Sequence, residues 1–301
     1  MRTTIDDNTA AGSGMKVLVT GHLGILGRAL MVELVQRKVD AVGVDVAQMD
    51  VTDAGRVRAV VTRERPTAVV NCAAFTGVDD CESHKGLCFA VNAQGAENVA
   101  AAAADADARV IQLSTDYVFD GTSRVPYAED AKPAPLSAYG ESKLEGERRV
   151  AAVTSDHLVV RTAWLFGVGG VNFVSKVLTR AKAGEPLAVV DDERGSPTYA
   201  GHLATALAEL LDVEFRGVVH VAGAGDASWY DVAAEVLRLT GMRARLEAIA
   251  AADLDLAARR PPYSALDISR YTALTGQIMP SWREGLAAYL REIKEVSDDA
   301  R

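Results

Sequence analysis

The feature that most constrains this chain is a glycine-rich turn near its start, Gly21-His-Leu-Gly24-Ile-Leu-Gly27. The apolar run Lys16–Thr20 precedes it, and apolar residues at helical spacing follow it within Leu23–Arg37. In a turn of this type one glycine makes the tight bend, another lets the backbone approach a pyrophosphate, and the third lets helix and strand pack closely. The helix N-terminus offers oriented N–H groups to the phosphates. The turn therefore predicts a dinucleotide-binding unit, although its first gap is one residue longer than in the usual fingerprint.

Short apolar runs alternate with helical segments through the first two-thirds of the chain. The further predicted strands are Ala41–Asp45, Ala68–Ala73, Val110–Ser114 and Leu158–Thr162. The predicted helices among them are Phe89–Ala104 and Ala138–Val153. Such alternation is typical of a parallel sheet covered by helices on both faces. The predicted fold class is α/β, with a Rossmann-type doubly wound parallel sheet.

Beyond about Ala163 the alternation loosens and prolines become frequent. The predicted elements here are the helices Phe173–Ala183, His202–Leu211 and Tyr230–Leu239 and the strands Leu187–Val190 and Val218–Val221. We expect residues 15–165 to form the dinucleotide-binding domain, with later segments returning to it. Residues 166–301 would form mainly a smaller C-terminal α/β substrate-binding lobe packed on the sheet. Residues 1–14 have neither a basic start nor an apolar stretch, and we expect a disordered leader.

Composition argues against several classes of protein. The net charge of −9 makes general nucleic-acid binding an unfavoured function, since phosphate contacts need a basic surface. No apolar run reaches about 18 residues, so no membrane span is expected. The three cysteines, Cys72, Cys81 and Cys88, are odd in number and lack the spacing of metal ligands. We expect reduced thiols, a cytoplasmic location and no metal site.

Acidic residues follow the second predicted strand. Asp45 ends that strand, where an acidic residue usually binds the ribose 2′-hydroxyl and favours NADH over NADPH. A solvated loop aspartate is the alternative. The run Asp50-Val51-Thr52-Asp53 follows and would flank the adenine; alternatively, Thr52 or Asp53 would cap the next helix.

A tyrosine and a lysine four residues apart begin the predicted helix Ala138–Val153. Tyr139 and Lys143 share a helix face, and a nearby ammonium is expected to lower the pKa of the tyrosine from its usual value near 10. Tyr139 would then act as an acid or base. The pair alone would also suit a plain surface helix. Upstream, Ser114–Gly121 closes the fourth strand, and catalytic groups in open α/β sheets gather at such strand ends. Thr115 is placed there to hydrogen-bond a substrate carbonyl.

Taken together, these motifs resemble the extended short-chain dehydrogenase/reductases, and more closely the dTDP-4-dehydrorhamnose reductase family. The resemblance runs from about Met15 to Leu290. It rests on the glycine turn, Ser114–Gly121 and Tyr139–Lys143, and also on Val70–Asp79, Arg161–Gly167, Gly195–Thr198 and Arg260–Asp267. Cys72 and Phe75 stand where the family pattern has alanine and tyrosine.

The resemblance implies a set of site residues. Together with the turn it gives as cofactor-binding residues Gly21, His22, Leu23, Gly24, Ile25, Leu26, Asp45, Asp50, Val51, Asn71, Cys72, Ala73, Ala74, Asn92, Tyr139 and Lys143. It gives as substrate-binding residues Thr76, Val78, Asp116, Tyr117 and Trp164. Trp164 would also suit a pure core position, and Tyr117 a cover over the sheet edge. The implied catalytic residues are Thr115, Tyr139 and Lys143.

The implied reaction is reduction of the C4 keto group of a dTDP-linked 4-keto-6-deoxy sugar, in deoxysugar biosynthesis. Either NADPH or NADH would deliver hydride, Tyr139 would donate the proton, Lys143 would bind the cofactor ribose and tune Tyr139, and Thr115 would polarise the carbonyl. The sequence does not fix the sugar, the product stereochemistry or the oligomeric state, for which a homodimer is one option.

Two rival functions use the same scaffold. Sugar-nucleotide 4,6-dehydratases carry Thr-Asp-Glu, but Tyr117 follows Thr115-Asp116 here, and 4-epimerases carry Val-Tyr-Gly where this chain has Val118-Phe-Asp. A regulatory, non-catalytic subunit of methionine adenosyltransferase resembles the same reductases. The intact Thr115, Tyr139 and Lys143 argue against that role.

Overall fold

The structure, a computed structural model, describes residues 14–299. The predicted leader therefore lies outside the described residues, apart from Gly14. In chain order the strands are β1 (Lys16–Thr20), β2 (Asp40–Val44), β3 (Ala68–Asn71), β4 (Arg109–Thr115), β5 (His157–Thr162), β6 (Leu165–Phe166), β7 (Leu187–Val190), β8 (Arg194–Gly195), β9 (Thr198–Tyr199), β10 (Gly217–His220), β11 (Ala227–Ser228) and β12 (Leu246–Ile249).

The helices alternate with these strands in the first half of the chain and dominate the second. They are α1 (Ile25–Gln36), α2 (Ala54–Glu64), α3 (Val78–Ser83), α4 (Lys85–Phe89), α5 (Gly95–Asp105), α6 (Ala138–Val153), α7 (Phe173–Lys182), α8 (Ala200–Leu210), α9 (Trp229–Thr240), α10 (Ser269–Thr275) and α11 (Trp282–Asp299). Within this described part of the chain, no helix has both the length and the apolar character needed to cross a membrane.

A six-stranded parallel sheet organises the fold, in the order β10-β5-β4-β3-β1-β2. The strand order reverses between β1 and β3. In open sheets of this kind ligands bind at such a switch point, beyond the carboxyl ends of the strands. The predicted α/β fold with a doubly wound parallel sheet is confirmed.

Each face of the sheet is covered by helices because the strands alternate buried side chains between the two faces. Val17 and Val19 of β1 join one core cluster, which includes apolar residues of α1 and α8. Leu18 joins the opposite cluster, with residues of α2, α5 and α6. All three side chains are fully buried, which contributes about 1.5–3 kcal/mol for each.

A third core cluster lies in the second half of the chain. It joins residues of α7, α9 and α11 with β7, which pairs in parallel with β12. The stretch between α7 and α9 returns to the large sheet, since α8 packs against α1 and β10 pairs with β5. The predicted strand Val218–Val221 is thus the sixth strand of the main sheet.

The long predicted helix Phe89–Ala104 is not continuous. Helix α4 ends at Phe89, a π-helical turn spans Ala90–Gln94, and α5 begins at Gly95. Buried Asn92 lies within this turn, and its side chain bonds to the backbone of Phe75 and to the hydroxyl of Ser142 as well as to Cys88 of its own helix. The inward-facing polar side chain of Asn92 and the wider helical turn occur at the same place. A π turn of this kind interrupts the regular hydrogen-bond pattern of an α-helix.

Candidate active site

One large cavity of about 930 Å³ opens at the carboxyl edge of the sheet. This volume is within the usual range of small-molecule sites. Its walls come from the glycine turn, the loops after β2, β3 and β4, the start of α6, and the segment from Thr162 to Asn172. The sequence motifs therefore meet around one space.

The three glycines of the turn have different tasks. Gly21 has φ +62°, and a Cβ there would lie 2.9 Å from the backbone nitrogen of Ala73. A Cβ on Gly27 would lie 2.3 Å from the carbonyl oxygen of Gly21. Gly24 is the N-cap of α1, which has no side-chain cap. The first N–H groups of α1 are thus left for a ligand, and the turn fits a pyrophosphate.

Asp45 lies directly beyond the end of β2 and lines the cavity. Its carboxylate accepts hydrogen bonds from the backbone N–H groups of Leu23, at 3.1 Å, and Val46, at 2.9 Å. Arg28 donates to the carbonyl oxygen of Leu23 at 2.7 Å and packs beside Gly169. Asp45 is therefore a fixed acidic group on the turn rather than a freely solvated loop residue.

Most of the predicted cofactor residues line the cavity. They are Gly21, Leu23, Gly24, Ile25, Leu26, Asp45, Asp50, Val51, Cys72, Ala73, Ala74, Tyr139 and Lys143. His22, Asn71 and Asn92 do not line it. The ring of His22 packs against Gly43, and the Asn71 side chain bonds to Thr20 and Gln112. These three side chains shape the wall from behind.

Thr115, Tyr139 and Lys143 all line the same wall. Thr115 ends β4, where its hydroxyl donates to the Oδ1 of Asp116 at 3.0 Å. Tyr139 and Lys143 lie in the first turns of α6, which is capped by Ser137. The Lys143 ammonium donates to the carbonyl oxygen of Leu113 at 2.6 Å.

Burial decides the protonation of these groups. It raises the pKa of Tyr139 well above the usual value, although a hydrogen bond with Thr115 opposes the rise. The expectation that Lys143 lowers the pKa of Tyr139 was wrong for this state of the protein, because desolvation of the phenolate dominates. A phenol that stays protonated is nevertheless the form that a proton donor needs. Burial also lowers the pKa of Lys143 to about 8.

The five predicted substrate residues, Thr76, Val78, Asp116, Tyr117 and Trp164, also line the cavity. The Tyr117 ring meets the Tyr139 ring edge to face, with centroids 5.9 Å apart. Burial raises the pKa of Asp116 to about 7, although hydrogen bonds from Ser264 and Thr115 oppose the rise. Trp164 has φ +46° and is accessible from the cavity, so it is not a pure core residue.

This architecture matches a known family. A family model described as the RmlD substrate binding domain matches residues 15–295. The chain belongs to the RmlD family. The resemblance to dTDP-4-dehydrorhamnose reductases that the motifs indicated is thereby confirmed.

Individual relatives of this RmlD-family chain cover most of its length. A Streptomyces griseus protein named dTDP-4-dehydrorhamnose reductase is 40% identical over 276 residues, or 89% of this chain and 91% of the relative. A Streptomyces niveus protein named dTDP-4-keto-6-deoxy-D-glucose reductase is 44% identical over 225 residues, or 74% and 78%. The crystal structure of dTDP-4-dehydrorhamnose reductase from Bacillus anthracis in complex with NADP has a TM-score of 0.90 and 36% identity, covering 92% and 99%.

Sequence reasoning missed several residues that this RmlD-family site brings together. Trp229 stacks on Trp164 with ring centroids 3.6 Å apart and also lines the cavity. Ser264 donates to Asp116 at 2.6 Å. Arg260 pairs with Asp79, which follows Val78 in α3. The Arg260–Asp267 motif was a signal for the last two, but no local pattern marks Trp229.

Proposed function

We propose that this protein reduces the C4 keto group of a dTDP-linked 4-keto-6-deoxy sugar, such as dTDP-4-dehydrorhamnose, with NADPH or NADH. One observation carries the proposal. A hydroxyl, a phenol and an ammonium, those of Thr115, Tyr139 and Lys143, line one wall of the cavity that also contains the glycine turn. This is the set of groups that carbonyl reduction needs beside a nicotinamide.

The chain's own residues would hold the cofactor along the glycine turn and the ends of β2 and β3. The open start of α1 at Gly24 would receive the pyrophosphate, and Asp45 would accept a hydrogen bond from the ribose. When bound, the reduced nicotinamide supplies the hydride for C4. Lys143, from its buried position near Leu113, would donate a hydrogen bond to the other ribose of the cofactor, the one attached to the nicotinamide.

Tyr139 would protonate the oxygen on C4 as negative charge develops there. Its raised pKa keeps the proton on the phenol until that oxygen becomes a stronger base. Thr115 would give a hydrogen bond to the same oxygen, which requires its hydroxyl to turn away from Asp116. The two donors together would polarise the carbonyl.

The sugar nucleotide would occupy the side of the cavity opposite the glycine turn. The stacked pair of Trp164 and Trp229 offers a flat apolar face there, next to Tyr117. We propose that the lobe formed mainly by residues 166–301 supplies this side, with residues 15–165 binding the cofactor. The cytoplasmic location and the homodimer remain predictions.

The test is turnover by the purified chain. We expect oxidation of NADPH or NADH on addition of a dTDP-4-keto-6-deoxy sugar, without any added protein, and NMR of the product would establish the configuration at C4. A folded chain that binds the cofactor but leaves every such sugar unreduced would contradict the proposal. It would instead favour a non-catalytic subunit.

A further inference from the structure

The buried carboxylate of Glu147 lies behind the catalytic wall. Glu147 belongs to α6 and is only 6% exposed. It follows Lys143 by four residues, as Lys143 follows Tyr139, so the three side chains lie along one helix face. Glu147 does not line the cavity. It can therefore act on the reaction only through another residue.

The Glu147 carboxylate is held on both oxygens. Oε1 accepts from the Ser114 hydroxyl at 2.5 Å and from Nε of Arg161 at 2.8 Å, and Oε2 accepts from Nη2 of Arg161 at 2.6 Å. Ser114 and Arg161 are register partners on β4 and β5. Arg161 is 3% exposed. The carboxylate thus has little freedom to move.

Lys143 and Glu147 reach neighbouring residues of the same strand. The Lys143 ammonium donates to the carbonyl oxygen of Leu113, and the next residue, Ser114, donates to Glu147. This arrangement fixes both side chains against β4. Bidentate contact with a guanidinium adds directional restraint, which is stronger than a single hydrogen bond would give.

The charges around Lys143 leave Glu147 as its counter-ion. Burial destabilises the ammonium, and the groups that oppose this effect are Glu147, Cys72 and Cys88. Neither cysteine forms a disulfide, and burial raises the pKa of the Cys72 thiol to about 12. Arg161 lies beyond Glu147 and carries the same charge as Lys143. Glu147 is thus the carboxylate among these groups, and it pairs with Arg161 while it shares a helix face with Lys143.

We propose that Glu147 is a positioning residue for the reduction: fixed by Arg161 and Ser114, its carboxylate keeps Lys143 charged and directed toward the cofactor site. The proposal rests on the proposed function for its kinetic consequence only. A lysine that loses its charge donates more weakly to the ribose. Activity would therefore fall as pH rises through the midpoint of Lys143 deprotonation, and Glu147 would set where that fall occurs.

The experiment compares Glu147→Gln with the wild type and with Glu145→Gln. Glu145 lies on the same helix in a surface pair with Arg149, so its variant controls for loss of a charge on α6. The Lys143 midpoint is measured by NMR titration of isotope-labelled lysine side chains, assigned with Lys143→Met. The pH profile of kcat/KM is recorded in parallel.

We expect Glu147→Gln to lower the Lys143 midpoint by about one pH unit or more, since a buried carboxylate one helical turn away stabilises the ammonium. The alkaline limb of kcat/KM should move down by the same amount, while Glu145→Gln leaves both unchanged. A folded Glu147→Gln with a wild-type midpoint would overturn the proposal. The titration needs no sugar substrate, so its result stands even if the proposed reduction fails.

A second variant separates the loss of the Glu147 charge from the effects of leaving Arg161 unpaired. Glu147→Gln leaves Arg161 unpaired, which is costly in a buried position. The double variant Glu147→Gln/Arg161→Met removes both charges and keeps similar volumes. A lowered Lys143 midpoint in the double variant supports the proposal. A return to the wild-type midpoint would show that repulsion from the unpaired Arg161 caused the shift, and would overturn it.

Discussion

The two sides of the cavity are built in different ways. The cofactor side consists largely of backbone and small residues of the glycine turn and of the ends of β2 and β3, with Gly24 open at the start of α1. The opposite side consists of large side chains from distant parts of the chain, above all Trp164 and Trp229. The first side has a shape that fits the pyrophosphate common to dinucleotides, whereas the second depends on the particular side chains that meet there.

Because the two sides differ in this way, substitutions in them should have different effects. Changes in the turn should weaken the cofactor and leave the sugar site intact, and changes in the tryptophan pair should do the reverse. Tyr139 lies between the two sides and contacts the aromatic ring of Tyr117. Its loss should impair the chemical step without weakening either ligand.

The largest effect is therefore expected for Tyr139→Phe. The variant removes the proton donor and keeps the ring, so kcat should fall by roughly 10²–10⁴-fold. Fluorescence titration with NADPH should give a wild-type Kd. A near-normal kcat would refute the assignment of Tyr139, and a matched loss of cofactor affinity would mean that the ring also shapes the cofactor side.

A smaller effect is expected for Gly24→Val. Gly24 has φ −72°, which valine adopts, and its Cβ would lie 3.3 Å from the carbonyl oxygen of Gly21, a tight contact that a small shift relieves. The added side chain should therefore block the pyrophosphate at little cost to the fold. Forcing a side chain into a filled space costs about 1–3 kcal/mol, or roughly 5- to 150-fold in Kd. Gly27→Ala is the contrasting control, because its Cβ would meet the Gly21 backbone and should lower Tm. Unchanged cofactor affinity in folded Gly24→Val would show that Gly24 does not contact the cofactor.

Within the cofactor side, Asp45→Ala tests whether the Asp45 carboxylate contacts the cofactor ribose. The Asp45 carboxylate should repel a 2′-phosphate by about 1–4 kcal/mol at 4 Å, depending on the intervening water. Its bonds from Leu23 and Val46 spread part of that charge, so we expect a shift of about tenfold toward NADPH. The measurement is the ratio of kcat/KM for NADPH and NADH. An unchanged ratio would place Asp45 away from the ribose.

The smallest effect is expected on the sugar side, for Trp229→Ala. Loss of one stacking partner costs about 1 kcal/mol, so KM for the sugar nucleotide should rise about fivefold while Kd for NADPH stays constant. Trp229→Phe should recover most of the loss. Should the cofactor affinity fall as well, the two sides would be coupled and the comparison above would not hold.

The same contrast explains what the sequence could predict. The glycine turn and the spacing of Tyr139 and Lys143 are local patterns, so strand, turn, helix and shared face follow from neighbouring residues. The parallel sheet follows from the alternation of apolar runs. The predicted substrate residues such as Trp164 came from family resemblance, and the structure places them on the cavity.

Contacts between distant segments were beyond such reasoning. Nothing near Trp229 indicates that its ring will stack on Trp164. The Arg260–Asp267 motif contains Ser264 but does not indicate that Ser264 will bond to Asp116. The prediction that the pKa of Tyr139 is lowered was wrong for a related reason. Helix spacing reveals the neighbouring lysine, but the desolvation that raises the pKa depends on everything packed around the ring.

The return of β10 to the main sheet has a consequence for the chain as a whole. The chain leaves the sheet after β5, comes back for α8 and β10, and departs again for α9. The chain therefore passes several times between the main sheet and the lobe formed mainly by residues 166–301, rather than once through a single linker. We expect that no single cut would yield two separately expressible halves, and that heating would melt both in one cooperative transition.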